Sequence, residues 1–343
     1  MPHCNLALLG FGNVGQALAQ LLSEKRQEVR RGFNLSYSIT GIATGSHGRA
    51  IDPDGLDLER ALSAIQRGES LDSLSNQPAP QDNLDFIHRC PADVLFENTP
   101  VNYETGQPAV DHLRAALEEG MHAITANKGP VVHAYRQLTE LARAKGSKFY
   151  FESTVMDGAP IFALYREALP AAQIKSFRGI LNSTTNMILS RMESGESFEQ
   201  VVRYAQEIGL AETDPSGDID GWDAAVKVAA LATVVMGSPL KPQDVDRQGI
   251  RQIDAQQVAS AKAQNKRWKL VCSATRRGDR IQARVAPEMV SADSPLYNVM
   301  GTSSMVQFES DVLGLLSIIE EDPGPKTTAY GLFADFLNAV RIE

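Results

Sequence analysis

The 343-residue chain is poor in cysteine: Cys4, Cys90 and Cys272 are its three thiols, scattered and odd in number. No CxxC pair and no Cys/His cluster occurs, which excludes a disulfide framework and a structural zinc site and points to a reducing compartment. Long apolar runs are also missing. None approaches the ~20 residues that cross a bilayer, and the N-terminal MPHCNLALLG shows neither a basic leader nor a cleavable apolar segment. Basic residues never run beyond pairs such as Arg30-Arg31 and Arg276-Arg277, in a chain of net charge −9. That excludes a nucleic-acid or anionic-membrane surface. The expectation is a cytoplasmic protein with small-molecule partners. Hydrophobic residues make up 43%, enough for a sizeable core, and the length suits two domains.

What is present begins at once. Asn5 to Gly10 is a short apolar run ending in glycine and reads as a buried parallel strand. Gly10-Phe-Gly-Asn-Val-Gly15 follows, and Val14, Ala17, Leu18, Leu21 and Leu22 then recur at helical spacing. This is G-x-G-x-x-G between strand and helix. Gly10 permits the tight turn, Gly12 lets backbone approach a pyrophosphate, and Gly15 lets helix pack on strand, while the helix N-terminus offers unpaired N–H donors. Further apolar runs at 37–43, 93–97, 122–127 and 148–152 read as strands. Helical patterns at 110–120 and 131–145 lie between the later ones, and a polar insertion spans 66–83. Alternation of this kind predicts a doubly wound parallel α/β sheet. Dinucleotide sites that take NAD usually carry an acid after the second strand. Here that stretch is Ala43-Thr-Gly-Ser-His-Gly-Arg49. Ser46, His47 and Arg49 suit a 2′-phosphate, which favours NADP, with NAD as the alternative.

Composition changes after Pro160. Residues 174–181 form a strand that leads into Asn182-Ser-Thr-Thr-Asn186, a group of helix N-cap residues, and 270–275 and 280–285 read as antiparallel strands. A helix from about Asp220 is expected to bury Trp222, Ala225, Val226 and Ala229. A last helix, about 327–341, is expected to set Tyr330, Phe333, Ala334 and Leu337 on one face. Between these lies GLAETDPSGDIDGWDAAVK, 209–227, with five carboxylates in positions 212–223 and a lysine behind them. Asp223 and Lys227 fall four apart and share a helical face. Either the segment is a solvated turn or it lines a pocket for something cationic.

Taken together, GFGNVG at 10–15, TANK at 125–128, ESTVMDGAPI at 152–161, GILNSTTNMIL at 179–189 and the 209–227 block resemble homoserine dehydrogenase, in its form without a C-terminal regulatory domain. The resemblance implies a Rossmann-type dinucleotide-binding domain at 1–150, completed by a C-terminal helix at about 327–343. It implies a mixed α+β substrate-binding and dimerisation domain at 151–326, and a homodimer. It implies hydride transfer between NAD(P)H and L-aspartate 4-semialdehyde to give L-homoserine, in threonine and methionine biosynthesis. By position it implies Lys227, Asp223 and Lys128 as catalytic residues. Glu212, Asp218, Thr184 and Asp157 would meet the substrate, whose α-ammonium accounts for the carboxylates. Gly10, Gly12, Asn13, Val14, Gly15, Ser46, Arg49, Thr99 and Lys128 would meet the cofactor. Glu152, Val155, Asp157 and Ala159 would hold a monovalent cation such as sodium. Two departures fall near the expected pocket: Met156-Asp157-Gly158 replaces a glycine-rich turn, and Ser183-Thr184 a Gly-Thr pair. Alternative readings are a related dehydrogenase for another small amino-acid aldehyde or alcohol, a deaminating dehydrogenase, and a catalytically silent NAD(P)H-binding protein.

Overall fold

The computed structural model describes residues 1–75 and 77–341. Two compact units result: Met1–Pro160 with Gly324–Glu343, and Ile161–Pro323.

The first unit holds a six-stranded sheet. Its strands are β1 (His3–Leu9), β2 (Ser36–Ala43), β3 (Arg49–Ile51), β4 (Val94–Glu97), β5 (His122–Thr125) and β6 (Phe149–Tyr150), in the order β3-β2-β1-β4-β5-β6. β2, β1, β4, β5 and β6 run parallel. The expected all-parallel sheet is corrected at one edge, where β3 pairs antiparallel with β2. The central strands read as continuous apolar runs because both faces are covered. On one face Leu6 and Leu8 of β1 pack with Leu18 and Leu22 of the helix Asn13–Gly32 and with Phe336 of the helix Pro325–Val340. On the other, Ala7 and Leu9 pack with Phe86, Leu95 and Ala116. Tyr37 fixes the C-terminal helix edge-on, its ring centroid 5.6 Å from that of Phe336. The buried face of that helix is Ala329, Leu332, Phe333, Phe336 and Leu337; Tyr330, expected inside, is exposed. Residues 342–343 of the expected helix, and residue 76 of the polar insertion, lie outside the described residues.

The second unit holds the other sheet: β7 (Ile174–Ile180), β8 (Asp246–Arg247), β9 (Lys266–Arg277), β10 (Arg280–Ser291), β11 (Ser304–Ser310) and β12 (Leu315–Glu320), in the order β12-β11-β7-β9-β10-β8. Its pairings are antiparallel except β8 with β10. The helix Trp222–Val235 packs on β9 and β10 and is buried at Ala224, Ala225, Val226, Val228 and Ala229. Trp222, expected in the core, is half-buried and carries the Arg247 guanidinium 3.7 Å from its ring centroid. No described helix is long and apolar enough to cross a membrane.

Candidate active site

In the first unit the glycine turn stands between β1 and its helix. Gly10 sits at φ +93°, and a Cβ there would stand 2.4 Å from the Asn98 carbonyl oxygen; one on Gly15 would stand 2.3 Å from the Gly10 oxygen. Gly12 is different. No described atom lies within 4 Å of where its Cβ would be, and as N-cap it lends no side chain to the helix, so no side chain caps the first N–H groups there. Asn13 is exposed and Val14 half-buried beside them. Open space at Gly12 together with uncapped donors is what a dinucleotide pyrophosphate requires, so these residues fit the group.

The end of β2 closes into a tight loop. Thr44 N donates to Gly48 O at 3.1 Å, His47 N to Thr44 Oγ1 at 2.6 Å, and Ser46 Oγ meets His47 Nδ1 at 2.8 Å. Arg49 opens β3, and its Nε donates to Asn83 Oδ1 at 3.1 Å. An acid is present after all, delivered from further along the chain. The short 3-10 helix Leu71–Leu74 brings Asp72 to this loop, where Oδ1 accepts from Arg49 N at 2.9 Å.

At the C-terminal end of β4, fully buried Glu97 organises the neighbouring strand ends. Its Oε1 accepts from Thr99 N at 3.0 Å and its Oε2 from Thr125 Oγ1 at 2.9 Å. Thr125 Oγ1 in turn takes Asn127 N at 2.9 Å, and Asn127 Nδ2 donates to Thr99 O at 3.1 Å. Asn127 also caps the helix Lys128–Lys145, accepting from Gly129 N at 3.0 Å. Thr99 and Lys128 are thus set by one buried carboxylate through a chain of short hydrogen bonds.

The Glu152–Thr154 turn faces the C-terminal helix. Glu152 N donates to Asp335 Oδ2 at 2.7 Å and Ser153 Oγ to Thr328 O at 2.7 Å. Asp157 sits at φ +38° and its Oδ1 takes the Thr328 hydroxyl. Its neighbour must be glycine, because a Cβ on Gly158 would stand 2.3 Å from Thr327 O. Val155 and Ala159 are buried beside this turn. Among the described residues no three His, Cys, Asp or Glu side chains form a metal cluster.

In the second unit the polar groups converge where β7 enters the helix Ser183–Met192. Gly221, at φ +79°, turns the chain from the short helix Ser216–Ile219 into the helix Trp222–Val235. That turn brings Asp218 and Asp223 to the same asparagine: Asn182 Nδ2 donates to Asp218 Oδ1 at 2.7 Å and to Asp223 Oδ2 at 3.0 Å. Lys227 Nζ lies 3.1 Å from Asp223 Oδ2 and donates to Leu181 O at 2.6 Å. Its side chain is 14% exposed and that of Asp223 10%, so this is no solvated surface pair. Burial, and next the Asp223 carboxylate, push Asp218 above the usual carboxylate range; Asn182, the Thr184 hydroxyl and Lys227 pull it back.

The homoserine dehydrogenase family model matches residues 160–337, and the model of the homoserine dehydrogenase NAD-binding domain matches 10–152. The chain belongs to the homoserine dehydrogenase family. It is an NAD(P)-dependent oxidoreductase of that activity. It is 35% identical over 339 residues to the NAD(+)-dependent homoserine dehydrogenase of Pseudomonas canavaninivorans, covering 98% of this chain and 96% of that protein. It is 36% identical to the homoserine dehydrogenase of Methanocaldococcus jannaschii, over 97% of this chain and 98% of that one. The crystal structure of homoserine dehydrogenase from Thermoplasma acidophilum superposes with a TM-score of 0.82 at 26% identity, covering 99% of this chain and all of that one (100%).

Within this homoserine dehydrogenase, the second unit gathers Asp218, Asp223, Lys227 and Thr184. Glu212 is exposed, and its backbone carbonyl takes the Gln206 amide at 3.3 Å. Asp157 belongs to the first unit and is engaged by Thr328. Three residues escaped the sequence reading. Asn182 registers there only as a helix cap. Glu97 reads as one more strand residue. Asp72 lies in what reads as a surface insertion.

Proposed function

We propose that Lys227 is the proton donor and oxyanion stabiliser for reduction of L-aspartate 4-semialdehyde, and the acceptor of that proton when L-homoserine is oxidised. The observation that carries this is the geometry of its ammonium. Of three N–H donors, one goes to Leu181 O and one to Asp223; the third is left for a substrate oxygen. Bound nicotinamide supplies or accepts the hydride. As negative charge develops on the aldehyde oxygen, a nearby ammonium stabilises it and delivers the proton. Asp223 orients Lys227. Asp218, with Glu212 and Thr184, receives the substrate's α-ammonium end, and Lys128 is the second electrostatic stabiliser. Asp157 is assigned to substrate binding by its place in the family pattern.

The glycine turn, Asn13, Val14, Thr99 and Lys128 hold the dinucleotide. We favour NADP, with Ser46, His47 and Arg49 at the 2′-phosphate. Asp72 supports NAD as the second reading, as does the P. canavaninivorans relative. Comparing kcat/KM for the two cofactors decides between them, and a clear NAD preference removes Arg49 from phosphate binding. Glu152 and the carbonyls of Val155, Asp157 and Ala159 suit a hard monovalent cation. The first unit is assigned to the dinucleotide and the second to substrate binding and dimerisation, in a cytoplasmic homodimer.

Lys227→Ala tests the mechanism, followed by reduced-nicotinamide absorbance with L-homoserine. Loss of a proton donor costs about 10²–10⁴-fold, so kcat is expected to fall at least about a hundredfold with melting temperature and dinucleotide affinity unchanged. Lys227→Arg is expected not to restore it, since a guanidinium keeps its proton. A folded Lys227→Ala enzyme with near-normal kcat would move the role to Lys128.

A further inference from the structure

The carboxylates and the lysine of the second unit are all reached from one short stretch, Leu181 to Thr185. Leu181 O holds Lys227. Asn182, 4% exposed, spends all of its hydrogen-bonding capacity there. Its two amide N–H groups go to Asp218 and Asp223. Its Oδ1 accepts from Thr185 N and Thr185 Oγ1, both at 2.8 Å. A primary amide has two donors and one oxygen, and here each has its match. Flipping the amide would aim the oxygen at two carboxylates and the NH2 at the Thr185 N–H, so the network admits one orientation.

We propose that Asn182 is the positioning residue of the substrate site, its amide bridging Asp218 and Asp223 so that both carboxylates, and Lys227 through Asp223, are aimed together. Two carboxylates drawn to one point repel, and a neutral double donor between them offsets this without adding charge. Asp223 Oδ2 accepts from Asn182 and also lies against Lys227. Where the amide puts that oxygen, the ammonium follows. Among the described residues, ionisable groups that face the pair include Lys227, on the helix that carries Asp223, and Cys272 of β9, which burial pushes up to about 12 and so keeps uncharged. The Thr184 hydroxyl completes the surround. Removing the Asn182 donors therefore leaves Asp218 holding its proton to higher pH, with less to pull it back.

The inference rests on the reading of Asp218 and Asp223 as substrate-site groups, and the test separates the two. Asn182→Ser keeps an oxygen to cap Thr185 N and deletes the bridge. Asn182→Asp keeps shape and cap, deletes the bridge and adds a third carboxylate. kcat/KM for L-homoserine is measured across pH for both, beside dinucleotide affinity and melting temperature. Loss of a hydrogen bond to a charged group is expected to lower kcat/KM about ten- to a hundredfold. The acid limb is expected to move to higher pH, further for Asn182→Asp, with dinucleotide affinity unchanged. A capping role alone predicts that Asn182→Ser restores everything, and a wild-type acid limb in both variants overturns the inference. Should the variants fail to fold, the wild-type enzyme still answers. The Asn182 side-chain amide resonances, seen by selective ¹⁵N-asparagine labelling, are expected to titrate along the acid limb, and amides that do not move overturn the bridge. Asp218→Asn is the parallel control. A normal KM there overturns the substrate reading, whereas a damaged Asp218→Asn enzyme beside normal Asn182 variants overturns the role of Asn182 alone.

Discussion

Asp218 is a carboxylate placed where a charge is costly. Burial first, and the Asp223 carboxylate second, raise its proton affinity in the folded protein. The sign follows from linkage: a group with a raised folded pKa contributes stability that is present below the unfolded value and lost as pH rises through the folded one. Above the ordinary carboxylate range Asp218 therefore weakens the fold. Asp218→Asn is expected to raise the melting temperature at neutral pH, with the gain shrinking as pH falls into the carboxylate range. It is also expected to lower kcat/KM for L-homoserine at least about tenfold, the scale of one hydrogen bond to a charged group. Calorimetry across pH beside steady-state kinetics checks both; a destabilised variant at neutral pH would contradict the sign. At this scale the sequence shows pairs that are local. Asp223 and Lys227 stand four apart on a helix, and their contact could be read directly. Asn182 bonds to residues 36 and 41 positions away, and Asp72 to a residue 23 away. No spacing rule reaches such partners, because the sheet and the loops bring them together.

The glycine turn separates two properties that a motif runs together. Gly10 holds a positive φ against the Asn98 backbone, where a Cβ would stand 2.4 Å from a carbonyl oxygen. Gly12 faces open space. Gly10→Ala is thus expected to destabilise the protein by about 1–3 kcal/mol, the usual scale for backbone strain, and to weaken dinucleotide binding along with it. Gly12→Ala is expected to leave the melting temperature nearly unchanged while weakening the dinucleotide alone, since its Cβ would occupy the ligand's place. Thermal unfolding and a binding titration on the two variants check this, and equal stability loss in both would mean that Gly12 serves the fold. Long, periodic elements such as the helix Asn13–Gly32 were legible from hydrophobic spacing. β3, three residues long and polar at its start, was not. Trp222 and Tyr330 fit their helical stripes by spacing, but both stand at the margins of a buried face. Arg247 covers one and the other is exposed.

Across the whole molecule, the second sheet ends on an apolar edge. β12 stands last in the strand order, and Leu315 and Ile319, on one face of it, are 66% and 57% exposed. Val312 and Leu313, in the turn before it, are 71% and 57% exposed. Soluble proteins usually protect an edge strand with charge, proline or a covering element, since its free N–H and C=O groups invite pairing. Four large apolar side chains on and beside this edge, in a chain of net charge −9, suit the proposed homodimer, in which a second copy would cover them. A two-fold interface would present the same patch from both copies. Fully burying one such side chain contributes about 1.5–3 kcal/mol, so each substitution counts twice across a symmetric contact. Ile319→Glu is therefore expected to raise the dimer dissociation constant by several orders of magnitude, because it removes two buried apolar groups and sets two carboxylates near each other. Sedimentation velocity over a range of concentrations reads this out. Wild-type protein is expected as a dimer at micromolar concentration and the variant as a monomer. Each variant subunit keeps the Asn182–Asp223–Lys227 network, which its own chain supplies complete. A wild-type monomer at every concentration would end the homodimer proposal, and a dimeric Ile319→Glu protein would place its interface on another surface.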